Sequence, residues 1–254
     1  CSINTSGGTK VESATDIFHV FTGSEPFDND GMGITVDILL IGGGGGTTTS
    51  AWSGGGGAGG YRLVPGISVA TGTSNPVVIG AGTGQPQTVA GSTSALGYSV
   101  SGGGRGGPAH VGGSGSPQGS GGGGGGPDNG YPPWGGGAGG SGSYGNPGGP
   151  AGTNSQGPSP GGGGGGIGGA GRPTSYPSTT YAPYHWSSYP FTPNGGIGGP
   201  GAHPANPTFP MPVIAPAFPS PTATFLLNPN SYDSFCRGGC GRPRSGYGVA
   251  SGFT

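Results

Sequence analysis

Glycine and proline dominate this chain of 254 residues, with 70 and 28 copies, whereas only 6% of the residues are charged. That composition is typical of low-complexity segments, but disordered chains usually carry high net charge and few aromatic residues. Here the formal net charge is −1 and 9% of the residues are aromatic. The balance argues against a nucleic-acid partner, which needs basic patches. The sequence contains no run of about 18 apolar residues, the length that predicts a membrane-spanning helix.

Residues 1–101 are predicted to form a small β module. Short β-branched or aromatic runs bounded by glycine or proline occur at 15–22, 33–42, 60–66, 75–82 and 95–103. In the second run, a period of two puts Ile34, Val36, Ile38 and Leu40 on one face, the period of a strand, and the other face holds Thr35, Asp37, Leu39 and Ile41. No window has a helical period. We therefore expect a mainly β structure with essentially no α-helix and with glycine loops between the strands.

Residues 102–172 are almost entirely glycine, serine and proline, and glycine recurs there with a period of three. The same period recurs in a third glycine run inside the region 173–254. The columns comprise Gly136, Gly139, Gly142, Gly145 and Gly148, then Gly162, Gly165, Gly168 and Gly171, and finally Gly195, Gly198 and Gly201. A flexible Gly/Ser linker would have no such period.

A period of three is typical of the polyproline II-type helix, which has three residues per turn and no internal hydrogen bonds. Buried backbone groups must then find partners on neighbouring chains, and close approach requires glycine at the facing positions. The columns predict that 102–172 forms a packed bundle of short polyglycine II helices. The alternative is a disordered linker. When glycine is this abundant, some glycines stand three residues apart by chance.

Residues 173–254 combine proline, aromatic rings and a cysteine-containing tail, and we expect them to continue the same structure. Aromatic loops suit binding surfaces, since Tyr and Trp give large contact areas at small entropic cost. The alternative is that the rings cover the glycine-rich core. The candidate binding residues, including two from the preceding loop, are Tyr131, Trp134, Tyr176, Tyr181, Tyr184, His185, Trp186 and Tyr189.

The three cysteines, Cys1, Cys236 and Cys240, allow a disulfide within the tail or from the tail to Cys1. The sequence suggests no metal site around them, because no histidine is near in sequence, and a disulfide in an oxidising compartment is the preferred interpretation. Cys1 is either the start of a processed lipoprotein or the result of truncation.

Catalysis finds little support in the sequence. The four histidines, at 19, 110, 185 and 203, have no carboxylate partner in a recognisable motif. The run 54–60 lacks the Lys-Ser/Thr ending of a phosphate-binding loop. We therefore expect a protein that is not an enzyme and uses no cofactor.

The first half of the chain resembles the glycine-rich domain of bacteriophage tail-fibre and related virion proteins. The matching stretches, in order, are "TSGGTKVESATDIFHVFTGSEPF" (5–27), "VDILLIGGGGG" (36–46), "GGGGAGGYRLVPG" (54–66), "NPVVIGAGTG" (75–84) and "STSALGYSVSGGGRGGP" (92–108). The resemblance covers roughly residues 5–126 and implies a receptor-binding tip built from polyglycine II helices with variable loops. It leaves 173–254 uncovered.

The expected function is adhesion at a virion surface or outside the cell. The partner would be a cell-surface glycan or an outer-membrane protein, and the chain would be a homo-oligomer or part of an oligomeric fibre. One alternative is a structural subunit of an extracellular filament or virion coat, whose partners are neighbouring copies of itself. Ice binding is a minor alternative, because the residues between glycines are too mixed for a regular flat face.

Overall fold

The computed structural model describes residues 2–47, 52–83, 88, 90–108, 119–126, 145–151, 161–166 and 169–173. Within these residues there is no helix, and the regular structure consists of short strands in small antiparallel sheets. The strands are β1 (Thr5–Ser6), β2 (Thr9–Glu12), β3 (Ile17–Val20), β4 (Glu25–Asn29), β5 (Ile34–Ile41), β6 (Tyr61–Val69), β7 (Thr73–Val77), β8 (Thr93–Ala95) and β9 (Tyr98–Val100).

All pairings among the described strands are antiparallel. β1, β4 and β7 form a three-stranded sheet with β4 in the centre, while β2–β3, β5–β6 and β8–β9 form two-stranded sheets. Pro26 of β4 lies opposite Pro76 of β7. Proline has no N–H to donate, so a pair of prolines fits where a ladder makes no hydrogen bonds. This explains how a central strand accommodates a residue that normally marks a strand boundary.

β6 is longer than the predicted run 60–66 because a bulge absorbs its Pro-Gly pair. Pro65 and Gly66 together lie opposite Asp37 in the β5–β6 ladder. Gly66 has a positive φ of 73°, and its N–H donates to Asp37 Oδ1 at 2.7 Å. Two residues facing one is the definition of a bulge, and the strand continues beyond it to Val69.

A small apolar core joins the β1–β4–β7, β5–β6 and β8–β9 sheets. Its buried members are Phe27, Leu40, Val69, Val77, Ala95 and Val100. Ile34, Val36 and Ile38 are partly buried and pack against this cluster, so the alternating face predicted for 33–42 is the face that points inward. Burying a large apolar side chain such as Phe27 contributes about 1.5–3 kcal/mol. Within the described residues this core belongs to the β module alone.

Asn29, at the end of β4, ties β4 to the β5–β6 pair. Its side chain is fully buried, and Nδ2 lies 2.9, 3.3 and 3.1 Å from the carbonyl oxygens of Met32, Val69 and Ala70. The amide therefore links three backbone carbonyl groups, of which that of Ala70 also accepts from the Thr73 hydroxyl at 2.8 Å.

The strands follow most of the predicted runs. β3, β5 and β6 lie in the runs 15–22, 33–42 and 60–66 or extend from them, whereas the run 75–82 forms a strand only to Val77. The run 95–103 is the second half of a hairpin that begins at Thr93. Sequence reasoning did not assign the short strands β1, β2 and β4, whose residues are polar or include proline.

Candidate functional site: the glycine core

Glycine-rich segments from both halves of the described chain lie side by side and exchange backbone hydrogen bonds. We name six of them the glycine core: residues 42–46, 53–60, 101–108, 119–126, 145–151 and 161–166. Every residue of 53–60, 119–126 and 161–166 is buried. Buried amides and carbonyls require partners, and these segments supply them to one another.

The core begins where the β5–β6 hairpin ends. Ile41 and Tyr61 are the last pair of that ladder. The glycines beyond them stay antiparallel, with the Gly42 amide donating to Gly60 at 2.9 Å and the Gly45 amide donating to Gly57 at 2.8 Å. Along these glycines the hydrogen bonds thus recur every three residues. A β-strand instead has a period of two residues, as its alternating side chains show.

The segment 53–60 makes an antiparallel contact with the segment 101–108. Every third amide of the first donates to a carbonyl of the second, and the acceptor moves back by three residues each time. The pairs are Gly54–Gly107, Gly57–Gly104 and Gly60–Ser101, at 3.0, 2.8 and 2.9 Å. A second antiparallel set joins 119–126 to the segment 53–60 and to Trp52 just before it. The donor–acceptor pairs are Ser120–Ala58, Gly123–Gly55 and Gly126–Trp52, at 3.0, 2.7 and 2.8 Å.

Other pairs of segments run parallel with the same interval. The amides of Gly55 and Ala58 donate to Gly162 and Gly165, both at 2.9 Å. Further parallel sets join 101–108 to 119–126 through Gly104–Ser120 and Gly107–Gly123, and 119–126 to 145–151 through Gly121–Asn146 and Gly124–Gly149. The segment 53–60 consequently bonds to four neighbours: 42–46, 101–108, 119–126 and 161–166.

Side chains larger than hydrogen are excluded from most interior positions. A Cβ on Gly56, Gly57 or Gly59 would lie closer than 3.0 Å to a carbonyl oxygen of a neighbouring segment. Small residues occur at a few interior positions, namely Ser53, Ala58 and Ser120, which are at most 2% exposed. The packing therefore depends on the absence of side chains, not on apolar contacts.

Larger residues in the core stand on its outside, three residues apart. Arg105 and Pro108 are half-buried among buried glycines, and Pro147 and Pro150 are exposed beside buried Gly148. The same interval of three that governs the hydrogen bonds thus separates these outer residues. The glycines therefore face the inside of the core, and the larger residues that separate them face its outside.

Of the predicted glycine columns, five residues lie among the described ones. Gly145 and Gly148 both face the segment 119–126, at Gly119 and Gly122. Gly162 and Gly165 both face 145–151, at Gly149 and Asn146, and Gly171 faces Gly163. The remaining column residues, Gly136, Gly139, Gly142, Gly168, Gly195, Gly198 and Gly201, lie outside the described residues.

The predicted binding residues also lie outside the described part of the chain, as do all three cysteines. This holds for Tyr131, Trp134, Tyr176, Tyr181, Tyr184, His185, Trp186 and Tyr189, and for Cys1, Cys236 and Cys240. Their roles stay predictions.

The segments 42–46 and 53–60 belong to the core, although the sequence places them in no glycine column. The sequence predicts them as glycine loops inserted in the β module, within one continuous structure, and they share hydrogen bonds with 101–108, 119–126 and 161–166. A run composed of glycine alone, such as 42–46, shows no period, because no other residue interrupts it. The available signal was the small residue Ala58 inside the run, which marks a buried position by its size.

Some titratable groups of the β module are engaged in local structure. His19 packs edge-to-face on Phe27, with ring centroids 5.2 Å apart. Its Nδ1–H donates to the Gly7 carbonyl at 2.6 Å, and its Nε2 lies 2.9 Å from the Thr5 hydroxyl oxygen. Exposed Glu12 bonds to Lys10 at 2.9 Å, and that hydrogen bond lowers the pKa of the Glu12 carboxyl.

Among the described residues, no group of three or more His, Cys, Asp or Glu side chains is positioned to hold a metal ion. The same residues contain no helix with the length and hydropathy that crossing a membrane requires.

Comparison of the chain with protein-family models, with curated protein sequences and with solved structures finds no match.

Proposed function

We propose that the chain is a non-catalytic adhesion protein of a virion or of the cell exterior, acting as a receptor-binding protein at the tip of a tail fibre. In this proposal, polyglycine II helices form a rigid scaffold, and the segments between them present aromatic side chains to a receptor on the host surface.

The hydrogen-bond pattern of the glycine core supports the scaffold. A polyglycine II helix turns once every three residues, so its amides point in three directions in succession. Amides of 53–60 that are three apart reach one neighbour, while those in the next phase reach another. A β-strand bonds to at most two neighbours in its sheet, whereas this segment bonds to four. This pattern supports a core of packed helices with three residues per turn.

The single observation that carries the function is how the core segments are connected. The segments 119–126 and 145–151 bond directly to each other, and the residues between them include Tyr131 and Trp134. Binding residues are commonly found on loops that a rigid scaffold positions. The core itself offers a ligand little chemistry, because it consists mainly of glycine and many of its buried amides and carbonyls are paired with each other.

The resemblance to glycine-rich tail-fibre domains supports the same proposal, since members of that family include receptor-binding tips. The candidate partner is a glycan or an outer-membrane protein of the host cell. Tyr and Trp rings offer large apolar faces that suit either class.

Two double variants test the proposal: Tyr131→Ala with Trp134→Ala, and Tyr184→Ala with Trp186→Ala. Binding of the fluorescently labelled protein is measured on a panel of Gram-negative bacteria. We expect saturable binding to at least one strain and a tenfold or larger loss of affinity in at least one double variant. Met32→Ala is the matched control, because it removes an apolar side chain that is 46% exposed in the β module.

Wild-type protein that binds no strain, or double variants that keep the fold and bind as wild type does, would contradict the proposal. Electron microscopy of the purified protein distinguishes the alternative function. Long ordered filaments would favour a structural subunit, and discrete particles an adhesion protein.

A further inference from the structure

Trp52 precedes the core segment 53–60 in a backbone conformation that bulky residues rarely adopt. Its φ is 62°, in the left-handed region that favours glycine. An L-residue is strained there because its Cβ comes too close to a carbonyl oxygen. The residues 54–57 that follow are all glycine, yet this position carries one of the largest side chains. The local backbone alone would favour glycine here.

Packing in the β module does not explain why a tryptophan stands at this position. Among the described residues other than glycine, only Trp52 and Leu96 have a positive φ. Leu96 lies in the tight turn between β8 and β9, where positive φ is usual, and it packs against the apolar core. Trp52 is half-buried and does not belong to that cluster. Strained residues cluster at functional sites, which makes Trp52 a candidate.

Trp52 lies at the end of the glycine core that is farther from the β module. The β5–β6 hairpin meets the core at the other end, at Gly42 and Gly60. Three further core segments begin or end beside Trp52: 101–108 at Pro108, 119–126 at Gly126 and 161–166 at Gly161. The far end is therefore where several connections between core segments leave the core.

A direct hydrogen bond ties Trp52 to the connection that carries the first aromatic residues of the proposed receptor contact. The Trp52 carbonyl accepts from the Gly126 amide at 2.8 Å. Tyr131 and Trp134 follow Gly126 within eight residues of sequence. Within the described part of the chain, Trp52 is the one aromatic residue at this end of the core.

The surroundings of Trp52 favour an uncharged ligand. Ser53, Gly54, Gly107 and Gly126, which lie around it at this end, carry no charge. The indole itself offers a large, flat, apolar face. A sugar ring presents C–H groups on one face and packs on such a surface, whereas a charged ligand would find no oppositely charged group among these neighbours.

We propose that Trp52 is a receptor-binding residue that packs on a neutral sugar unit of a surface glycan, and that the core end where it lies faces the receptor. The side chain is retained at this position for binding, although the backbone would favour glycine. The inference rests on the proposed receptor-binding function and narrows its partner to a glycan.

Binding of the labelled intact chain to the bacterial panel tests the site with the matched variants Trp52→Gly and Leu96→Gly. Each removes a bulky side chain from a left-handed position. Trp52→Gly should bind at least tenfold more weakly than wild type, while its Tm should stay the same or rise, since glycine relieves the backbone. Leu96→Gly should bind as wild type does. Trp52→Phe, which keeps a flat ring, should lose less affinity than Trp52→Gly.

Treatment of the cells tests the class of ligand. Periodate oxidation of the surface sugars should reduce binding of the wild-type protein at least tenfold. Binding that survives periodate would mean that the receptor is recognised through its protein, and would overturn the sugar assignment.

Unchanged binding of Trp52→Gly, or an equal loss in Leu96→Gly, would overturn the role of Trp52. A lower Tm of Trp52→Gly would also overturn it, because the ring would then serve to cover the core. Wild-type binding separates this failure from failure of the proposed function. If wild type binds cells and only the variants of Tyr131 and Trp134 lose affinity, the assignment of Trp52 alone is wrong. If wild type binds no strain, both proposals fail.

Discussion

At the scale of single residues, the glycine core depends on glycine at buried positions, because only its single hydrogen atom fits where other residues have a side chain. Gly57 donates to Gly104, accepts from Gly45 and faces the carbonyl of Ser120. It therefore has close neighbours in three directions. By contrast, Gly23 in the β module has no heavy atom within 4 Å of the position that a Cβ would occupy.

Gly57→Ala should destabilise the protein, because a methyl group there forces the segments apart. Overpacking of this kind typically costs about 1–3 kcal/mol. A loss of 1 kcal/mol lowers Tm by about 2–4 °C in a domain of 150–250 residues. Thermal unfolding followed by circular dichroism measures the change. Gly23→Ala is the matched control and should leave Tm unchanged or slightly raised, since alanine restricts the unfolded chain. Equal Tm values for the two variants would mean that 53–60 is not packed.

At the scale of elements, Asn29 connects the central strand β4 to the β5–β6 pair. Asn29→Ala removes a buried amide that reaches the carbonyl groups of Met32, Val69 and Ala70, and only Ala70 keeps another side-chain donor described here, the Thr73 hydroxyl. Leaving buried polar groups unsatisfied costs about 1–3 kcal/mol, so the midpoint of chemical denaturation should fall. Asn75→Ala is the comparison, because the Asn75 amide contacts only the Thr73 hydroxyl, at 3.2 Å, among the hydrogen bonds described. A smaller effect at Asn29 than at Asn75 would contradict this role.

The elements differ in how much of them could be predicted from the sequence. Alternation in 33–42 predicted the inward face of β5 because apolar residues stand at every second position. The limits of β6 could not be predicted, since Pro65 and Gly66 look like a strand end and only the bulge opposite Asp37 keeps them in the ladder. The pairing of Pro26 with Pro76 is likewise a tertiary fact that local preference does not contain.

The candidate site was partly predictable for a related reason. Glycine columns can be seen where other residues interrupt them, as Pro147 and Pro150 do, but not inside 42–46, where every residue is glycine.

At the scale of the whole molecule, the β module and the glycine core share one hydrogen-bonded framework. The β5–β6 hairpin runs directly into glycines 42 and 60, and the Thr93 hydroxyl donates to the Ile41 carbonyl at 2.7 Å where strand and core meet. The apolar cluster stabilises one end of this framework, and backbone hydrogen bonds hold the other. The glycine segments act as structure and not as a linker.

Amide hydrogen exchange of the intact protein, resolved at individual glycines by NMR, tests this central claim most directly. We predict that bonded amides of the core, including those of Gly54, Gly57 and Gly123, exchange at least about a hundredfold more slowly than in an unfolded chain, as expected for buried, bonded segments. Their protection should be comparable to that of β5 and β6. Exchange at unfolded-chain rates throughout 53–60 and 119–126, with β5 and β6 still protected, would show that the glycines are a linker and would contradict the account.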